Sequence, residues 1–288
     1  MMTVIKFIKM EGSGNDFVVI ENCPPSTVHS PQILAKKICD RKYGVGADGV
    51  LLLEKSKKAD VRMRIFNADG SEAQMCGNGA RCCALWASRT SAAGGSAFGV
   101  KNSKLTIETK AGMIDARVEG DLAKIKLTDP ADLKLDIHIN ADGKDYEADY
   151  VNTGVPHAVI EVDDIERIPV KEIGRLIRHY RIFQPAGTNV NFVQVKDRDH
   201  IVVRTYERGV EDETLACGTG SVASAIIAVL NHFRRDPGQG KPDSVHKIFV
   251  ETRSRETLKV YFRLLKKKIS DVWLEGKAKI VFKGEYYV

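Results

Sequence analysis

Two short sequences of one kind, Cys76-Gly77-Asn78-Gly79 and Cys217-Gly218-Thr219-Gly220, recur in the chain at an offset of 141. A run of small and apolar residues follows each and reads as a helix. Each Cys is therefore expected at the mouth of a helix, with glycines that let a ligand approach the backbone. Helix amino termini carry free N–H groups and a partial positive charge, which attract anions and in general favour thiolate over thiol. Two such ends facing one ligand would offer two anion cradles and two acid-base thiols. Inversion of a stereocentre beside a carboxylate needs that set: one group removes the α-proton and the other returns a proton to the opposite face. The helix-end N–H groups would stabilise charge developing on the carboxylate, so no pyridoxal phosphate is required. The rival chemistry is a Cys-His nucleophile using His157. It needs a single Cys and leaves the second motif unexplained. A lone Cys at a helix start would be read as a packing residue, but two in equivalent frames favour function.

The same spacing recurs elsewhere. Gly14 with Val18-Val19-Ile20 resembles Gly154 with Ala158-Val159-Ile160 at an offset of 140, and Ile65-Phe66 matches Thr205-Tyr206 at the same offset. The prolines expected to open two further helices, Pro31 and Pro169, differ by 138, and Gly44 and Gly187 differ by 143. Five matches in one order indicate two copies of one β-rich unit.

Strands are predicted at Thr3–Lys9, Phe17–Glu21, Val50–Glu54, Val61–Asn67, Leu105–Lys110, Ile114–Glu119 and Ala123–Leu127 in the first copy. The second copy has Leu135–Ile139, Ala158–Val162, Val190–Val195 and Ile201–Tyr206, and the last strands are Ile248–Thr252, Leu258–Leu264 and Ala278–Phe282. Asn140-Ala141-Asp142-Gly143 reads as a hairpin turn. Ala80, Ala84 and Ala87, and in the other copy Ala223, Ala225 and Ala228, let a helix sit close to surrounding strands. The expected fold is α+β, with two homologous lobes related by a pseudo-twofold axis. Each lobe is a β-sheet wrapped around a central helix, and the active site lies in the cleft between lobes. Residues 1–124 would form the first lobe, joined by a returning strand at about 275–288, and residues 125–274 the second.

Composition narrows the class. The 288 residues are 43% hydrophobic and 28% charged, with a formal charge of +6, which excludes disordered and collagen-like chains. No apolar run reaches the ~18–20 residues that span a bilayer, and Met1 to Met10 lacks the apolar core of a signal peptide. A cytoplasmic protein with no membrane partner is expected, its six Cys reduced. Cys23, Cys39, Cys82 and Cys83 read as buried thiols, and no spacing fits a metal site. From Arg234 onward 14 basic residues face 7 acidic ones. Lys259, Arg263, Lys279 and Lys283 alternate with Val, Phe and Ile, so this reads as a solvated strand face and no nucleic-acid partner is expected. Gly44-Val45-Gly46-Ala47-Asp48-Gly49 fits the dinucleotide fingerprint, but a helix precedes it and a strand follows. That order is the reverse of what the fingerprint requires, and a nicotinamide or flavin cofactor is rejected.

Longer stretches resemble the diaminopimelate epimerase family. They are Lys9-Met10-Glu11-Gly12-Ser13-Gly14-Asn15-Asp16-Phe17, Arg64-Ile65-Phe66-Asn67-Ala68-Asp69-Gly70-Ser71-Glu72, Cys76-Gly77-Asn78-Gly79-Ala80-Arg81-Cys82, Gly154 with Pro156-His157, Thr205-Tyr206-Glu207-Arg208-Gly209, and Leu215-Ala216-Cys217-Gly218-Thr219-Gly220. They run in family order along nearly the whole chain. Asn78 distinguishes them from the related proline racemases, which have His after the first Cys-Gly. The resemblance implies a cofactor-free isomerase that interconverts LL- and meso-diaminopimelate for lysine and cell-wall synthesis. It further implies that Cys76 and Cys217 are the acid-base pair, and that Gly77, Asn78, Gly218 and Thr219 hold the reacting carboxylate. Asn15, Asn67, Asn189 and Arg208 would contact the substrate, Glu207 would meet its ammonium, and His157 would assist nearby. A homodimer is implied too. Gly49 and Val155 replace amides that many members carry. The alternatives are a racemase of another amino acid on this scaffold, without pyridoxal phosphate, and a two-lobed amino-acid binding protein.

Overall fold

The computed structural model describes residues 4–21, 30–89, 98, 100, 103–236, 244–266 and 268–288. Cys23 and the expected strand start at Thr3 lie outside these. The chain divides into two compact units, Met1–Lys126 with Glu275–Val288, and Leu127–Leu274.

In the first unit, β1 (Val4–Gly12) and β2 (Asn15–Glu21) form a hairpin. Its two turn residues, Ser13 and Gly14, have φ of 54° and 88°, the left-handed pair that suits the twist of a two-residue turn. α1 (Pro31–Ile38) opens with Pro31 in its first turn, and the Ser30 hydroxyl accepts from the Ile33 N–H at 3.3 Å. β3 (Gly49–Glu54) runs parallel to β2, and β4 (Val61–Asn67) is antiparallel to β3 and to the short β5 (Glu72–Ala73). α2 (Gly77–Ala87) follows. β6 (Lys104–Thr109) then lies parallel to β4, and β7 (Gly112–Glu119) and β8 (Leu122–Lys126) continue antiparallel.

The second unit repeats this order. β9 (Ala131–Ala141) and β10 (Lys144–Asn152) pair antiparallel, and β11 (Pro156–Glu161) pairs antiparallel with β10. α3 (Val170–Arg178) crosses to β12 (Asn189–Val195), parallel to β11, and β13 (His200–Glu207) and β14 (Asp212–Thr214) turn back. α4 (Gly218–Arg235) leads to β15 (Ser244–Glu251), parallel to β13, and β16 (Thr257–Leu265). β17 (Lys268–Lys277) carries the chain back to the first unit, where β18 (Lys279–Tyr287) pairs antiparallel with β1.

Each unit surrounds one helix with strands. α2 packs against β1–β4 and β6–β8, and α4 against β10–β13, β15 and β16. Ala80, Ala84, Ala223 and Ala225 are wholly buried, because a methyl is all the space left between helix and sheet. α1 and α3 cover the other sheet face, over clusters built on Val18, Val50 and Phe66 and on Ala158, Val190 and Tyr206. The α+β class and the paired sheet-around-helix units are those expected from sequence. The glycine-rich stretch at 44–49 is a connection from α1 into β3, as its flanks indicated.

Four details differ. β5, β10, β14 and β17 were not anticipated, β5 and β14 because two or three residues are too few to show a period. β10 has register shifts at Ala148/Tyr150 and Tyr150/Asn152, and Asp271 in β17 has φ of 53°, so neither shows an unbroken two-residue period. Pro169 caps α3 and is not its first helical residue. α2 and α4 begin inside the Cys-Gly-x-Gly motifs and not after them. In the basic tail, β16 buries Leu258, Val260, Phe262 and Leu264 as expected, but β18 exposes Val281 and Phe282 beside Lys279 and Lys283. Among the described residues, no helix is long and apolar enough to cross a membrane.

Candidate active-site residues

Cys76 and Cys217 occupy the same local position in their units. Each is the N-cap residue, with extended backbone (φ −143°, ψ 124° and φ −114°, ψ 112°) and no side-chain capping bond. The first helical bonds run from Ala80 N–H to the Cys76 carbonyl (2.8 Å) and from Ser221 N–H to the Cys217 carbonyl (2.9 Å). The N–H groups of Gly77 and Asn78, and of Gly218 and Thr219, thus precede the intrahelical ladder and have no acceptor within their helices. The Cys217 Sγ lies 3.5 Å from the Thr219 hydroxyl. Cys39, Cys82 and Cys83 are buried thiols, as expected. Burial pushes Cys39 up to about 11 and raises the other two further.

In the first unit an ordered relay sets the amides beside Cys76. The buried Arg81 guanidinium donates to Ser13 Oγ (2.7 Å) and Asn78 Oδ1 (2.8 Å). Because Arg only donates, it turns the Asn78 carbonyl oxygen toward itself. Asn78 Nδ2 then donates to Asn15 Oδ1 (2.5 Å), and Asn15 Nδ2 donates to Asp48 Oδ2 (3.0 Å). Asp48 is held by Arg41 (2.8 Å), which also pairs with Asp16 (2.9 Å), and Asp16 meets the buried Lys9 at 2.7 Å. Burial would raise the Asp16 carboxyl, but Arg41 and Lys9 overcome this and lower it to about 2. Asn67 is separate from that relay; its amide donates to Ser71 Oγ at 2.9 Å. Gly49 faces Asn67 across β3 and β4, and a Cβ there would stand 2.8 Å from the Phe66 carbonyl oxygen.

In the second unit the strand register gathers His157, Asn189, Asn191, Thr205 and Glu207 on one sheet face. It is the α4 face, since a Cβ on Gly220 would meet Asn191 Oδ1. Asn189 Oδ1 accepts from the Arg208 N–H (2.8 Å) and its Nδ2 donates to the Pro156 carbonyl (2.9 Å), so it locks the backbone that presents Arg208. The Arg208 guanidinium donates to the Ala186 carbonyl at 3.1 Å. Thr153 Oγ1 donates to the Thr219 carbonyl (3.1 Å), tying the β10–β11 loop to the start of α4. Val155 lies in that loop. Burial raises the Glu207 carboxyl above its ordinary range. His157 is wholly buried and is pushed down to about 3, first by burial and then by the Arg208 charge. Burial makes this imidazole a weak base, and so a poor proton acceptor for a Cys-His nucleophile. A cavity of about 550 Å³ lies on the α3 side, lined by Lys171, Arg175, His179 and Tyr206 among others, and includes none of these residues.

Arg81, Ser13, Asp48, Asn191 and Thr205 were not singled out from sequence as participants. The available signal was in the repeat: Asn191 and Thr205 are polar where the first copy has Leu51 and Ile65.

The profile of the family described as "Diaminopimelate epimerase" matches residues 7–133 and 149–239. A diaminopimelate epimerase of Aquifex aeolicus is 40% identical over 97% of this chain and 97% of its own length. One from Methanocella arvoryzae is 41% identical over 99% of this chain and 97% of its own. Among solved structures, a PhzF-family phenazine biosynthesis protein from Bacillus anthracis superimposes with a TM-score of 0.71 at 18% identity, covering 99% of both chains. That likeness concerns the fold alone. With a family profile across most of its length and near-full-length relatives at this identity, the chain belongs to the diaminopimelate epimerase family.

Proposed function

We infer that this chain is an isomerase that interconverts LL- and meso-diaminopimelate in lysine and peptidoglycan precursor synthesis, without a cofactor. The carrying observation is the pair of Cys residues with matching N-cap geometry in two units of like topology. In this reading Cys76 and Cys217 act on opposite faces of one α-carbon. One sulfur, as thiolate, removes the α-proton; the other, as thiol, delivers its proton to the opposite face, and the two exchange protonation state with each turnover. The N–H groups of Gly77, Asn78, Gly218 and Thr219 stabilise the charge that moves from the α-carbon onto the carboxylate. Glu207 receives the ammonium and His157 assists nearby, while Asn15, Asn67, Asn189 and Arg208 engage the polar groups of the substrate, several at its distal end. A substrate with a second charged end needs such a directional set. The reaction is assigned to the cytoplasm, as the sequence led us to expect, and the working form to a homodimer on the family resemblance.

The test is incubation of reduced protein with LL-diaminopimelate in deuterium oxide, without added cofactor, followed by chiral separation and mass analysis. Meso product carrying α-deuterium is expected. Folded protein that yields neither isomer nor label would overturn the substrate assignment. Other amino acids would then be screened, with Gly49 and Val155 as the first positions to examine.

A further inference from the structure

The two units share a strand register so closely that side chains can be matched in threes. In the first unit Phe17 pairs with Gly49, Leu51 with Ile65, and Gly49 with Asn67. In the second His157 pairs with Asn189, Asn191 with Thr205, and Asn189 with Glu207 when the same register is continued. Every member keeps the same offset of 140 from its counterpart. Phe17, Leu51 and Ile65 fill the space beneath α2, with Gly79 against Leu51; His157, Asn191 and Thr205 fill it beneath α4, with Gly220 against Asn191. The fold thus accepts an apolar triad at this position. Burying three polar side chains instead adds a desolvation penalty that packing does not require.

The polar triad has one consistent pattern of donors. Asn191 Nδ2 lies 3.1 Å from the Ala158 carbonyl oxygen, which can only accept, and Thr205 Oγ1 donates to Asn191 Oδ1 at 2.9 Å. The amide orientation is therefore determined by its surroundings. The second Nδ2 hydrogen points at His157 Nδ1, 3.1 Å away, which must be the bare nitrogen. The imidazole proton lies on Nε2, a buried atom with no hydrogen-bond partner among the described residues.

We propose that Asn191 is a positioning residue. Anchored by Ala158 and Thr205, it holds His157 in the Nε2–H tautomer, so that His157 serves the site as a hydrogen-bond donor and not as a base. The effect on turnover rests on the function proposed above; the tautomer does not. Burial, and after it the Arg208 charge, lowers the titration of His157 and keeps the imidazole neutral.

The test uses the full chain labelled with ¹⁵N-histidine and long-range ¹H–¹⁵N correlation, with His157→Phe identifying the resonance among the seven His. The wild type is expected to show a bare Nδ1 and a protonated Nε2. Asn191→Asp offers an acceptor to Nδ1, so the tautomer inverts and kcat falls about 100-fold with less change in KM. Asn191→Leu, which copies the first unit, should fold and lose the tautomer preference with a similar fall in kcat. A wild-type Nδ1–H tautomer overturns the proposal even if no variant folds. So does a folded Asn191→Asp protein with unchanged tautomer or near-normal kcat. If the wild type shows Nε2–H and Asn191→Asp inverts it while the wild type leaves diaminopimelate unchanged, the positioning stands and the substrate reading fails.

Discussion

Gly79 and Gly220 occupy the third residue of α2 and α4, and the same substitution should have opposite consequences at the two. A Cβ at position 220 would stand 2.3 Å from Asn191 Oδ1, 3.2 Å from the Cys217 Cβ and 3.3 Å from its Sγ. Asn191 has a short side chain tied by hydrogen bonds to Ala158, Thr205 and His157, so it cannot yield without breaking at least one of them. Overpacking costs about 1–3 kcal/mol, and a buried polar group left unpaired costs about 1–3 kcal/mol more. Replacing glycine in a helix returns at most about 1 kcal/mol. Gly220→Ala should therefore lose about 1–5 kcal/mol of stability. At position 79 the nearest atom is the Leu51 Cδ2 at 3.0 Å, the end of a flexible apolar side chain. Gly79→Ala should fall within about 1 kcal/mol of wild type, since a small adjustment is set against the helix gain. Urea unfolding at constant m would measure both, and the two tryptophans serve as probes, Trp86 in the first unit and Trp273 in the second. Equal stability of Gly220→Ala and wild type, or equal damage from both substitutions, would refute the packing argument.

Two more outcomes are expected. Cys76→Ala and Cys217→Ala should each reduce turnover at least about 1000-fold while the fold persists; near-normal turnover in either would dismiss the two-thiol assignment, and unchanged ligand affinity without any wild-type turnover would favour a binding protein. Asp16 should contribute acid-sensitive stability. Its carboxyl is lowered from 3.8 to about 2, so the contribution is complete above about pH 4 and disappears as pH falls toward 2. The full shift corresponds to about 2 kcal/mol, an upper figure because Arg41 is 62% exposed and its pairing is screened by water. The stability gap between wild type and Asp16→Asn should narrow from pH 5 to pH 2, and a gap independent of pH would remove Asp16 from that role.

Local sequence was enough for much of this molecule. Glycine at 14 and 154 marks left-handed backbone (φ 88° and 103°), and glycine at 220 with small residues along two helices marks close packing, because a bulkier side chain would be strained or crowded there. The internal repeat exposed the two-unit plan, and the N-cap places of Cys76 and Cys217 were legible since a helix start is a short-range feature. What lay beyond reach depends on contacts between segments distant in the chain. β10 and β17 have interrupted alternation, so partners and not pattern make them strands. The relay from Arg81 through Asn78 and Asn15 to Asp48 joins segments far apart in the chain, and its directions follow from which atoms meet. The tautomer of His157 is the clearest case. Composition at position 157 allows either form, and only the approach of Asn191, itself oriented by Ala158 and Thr205, selects one. Side-chain type is written in the sequence, whereas proton position is decided by the neighbours that folding supplies.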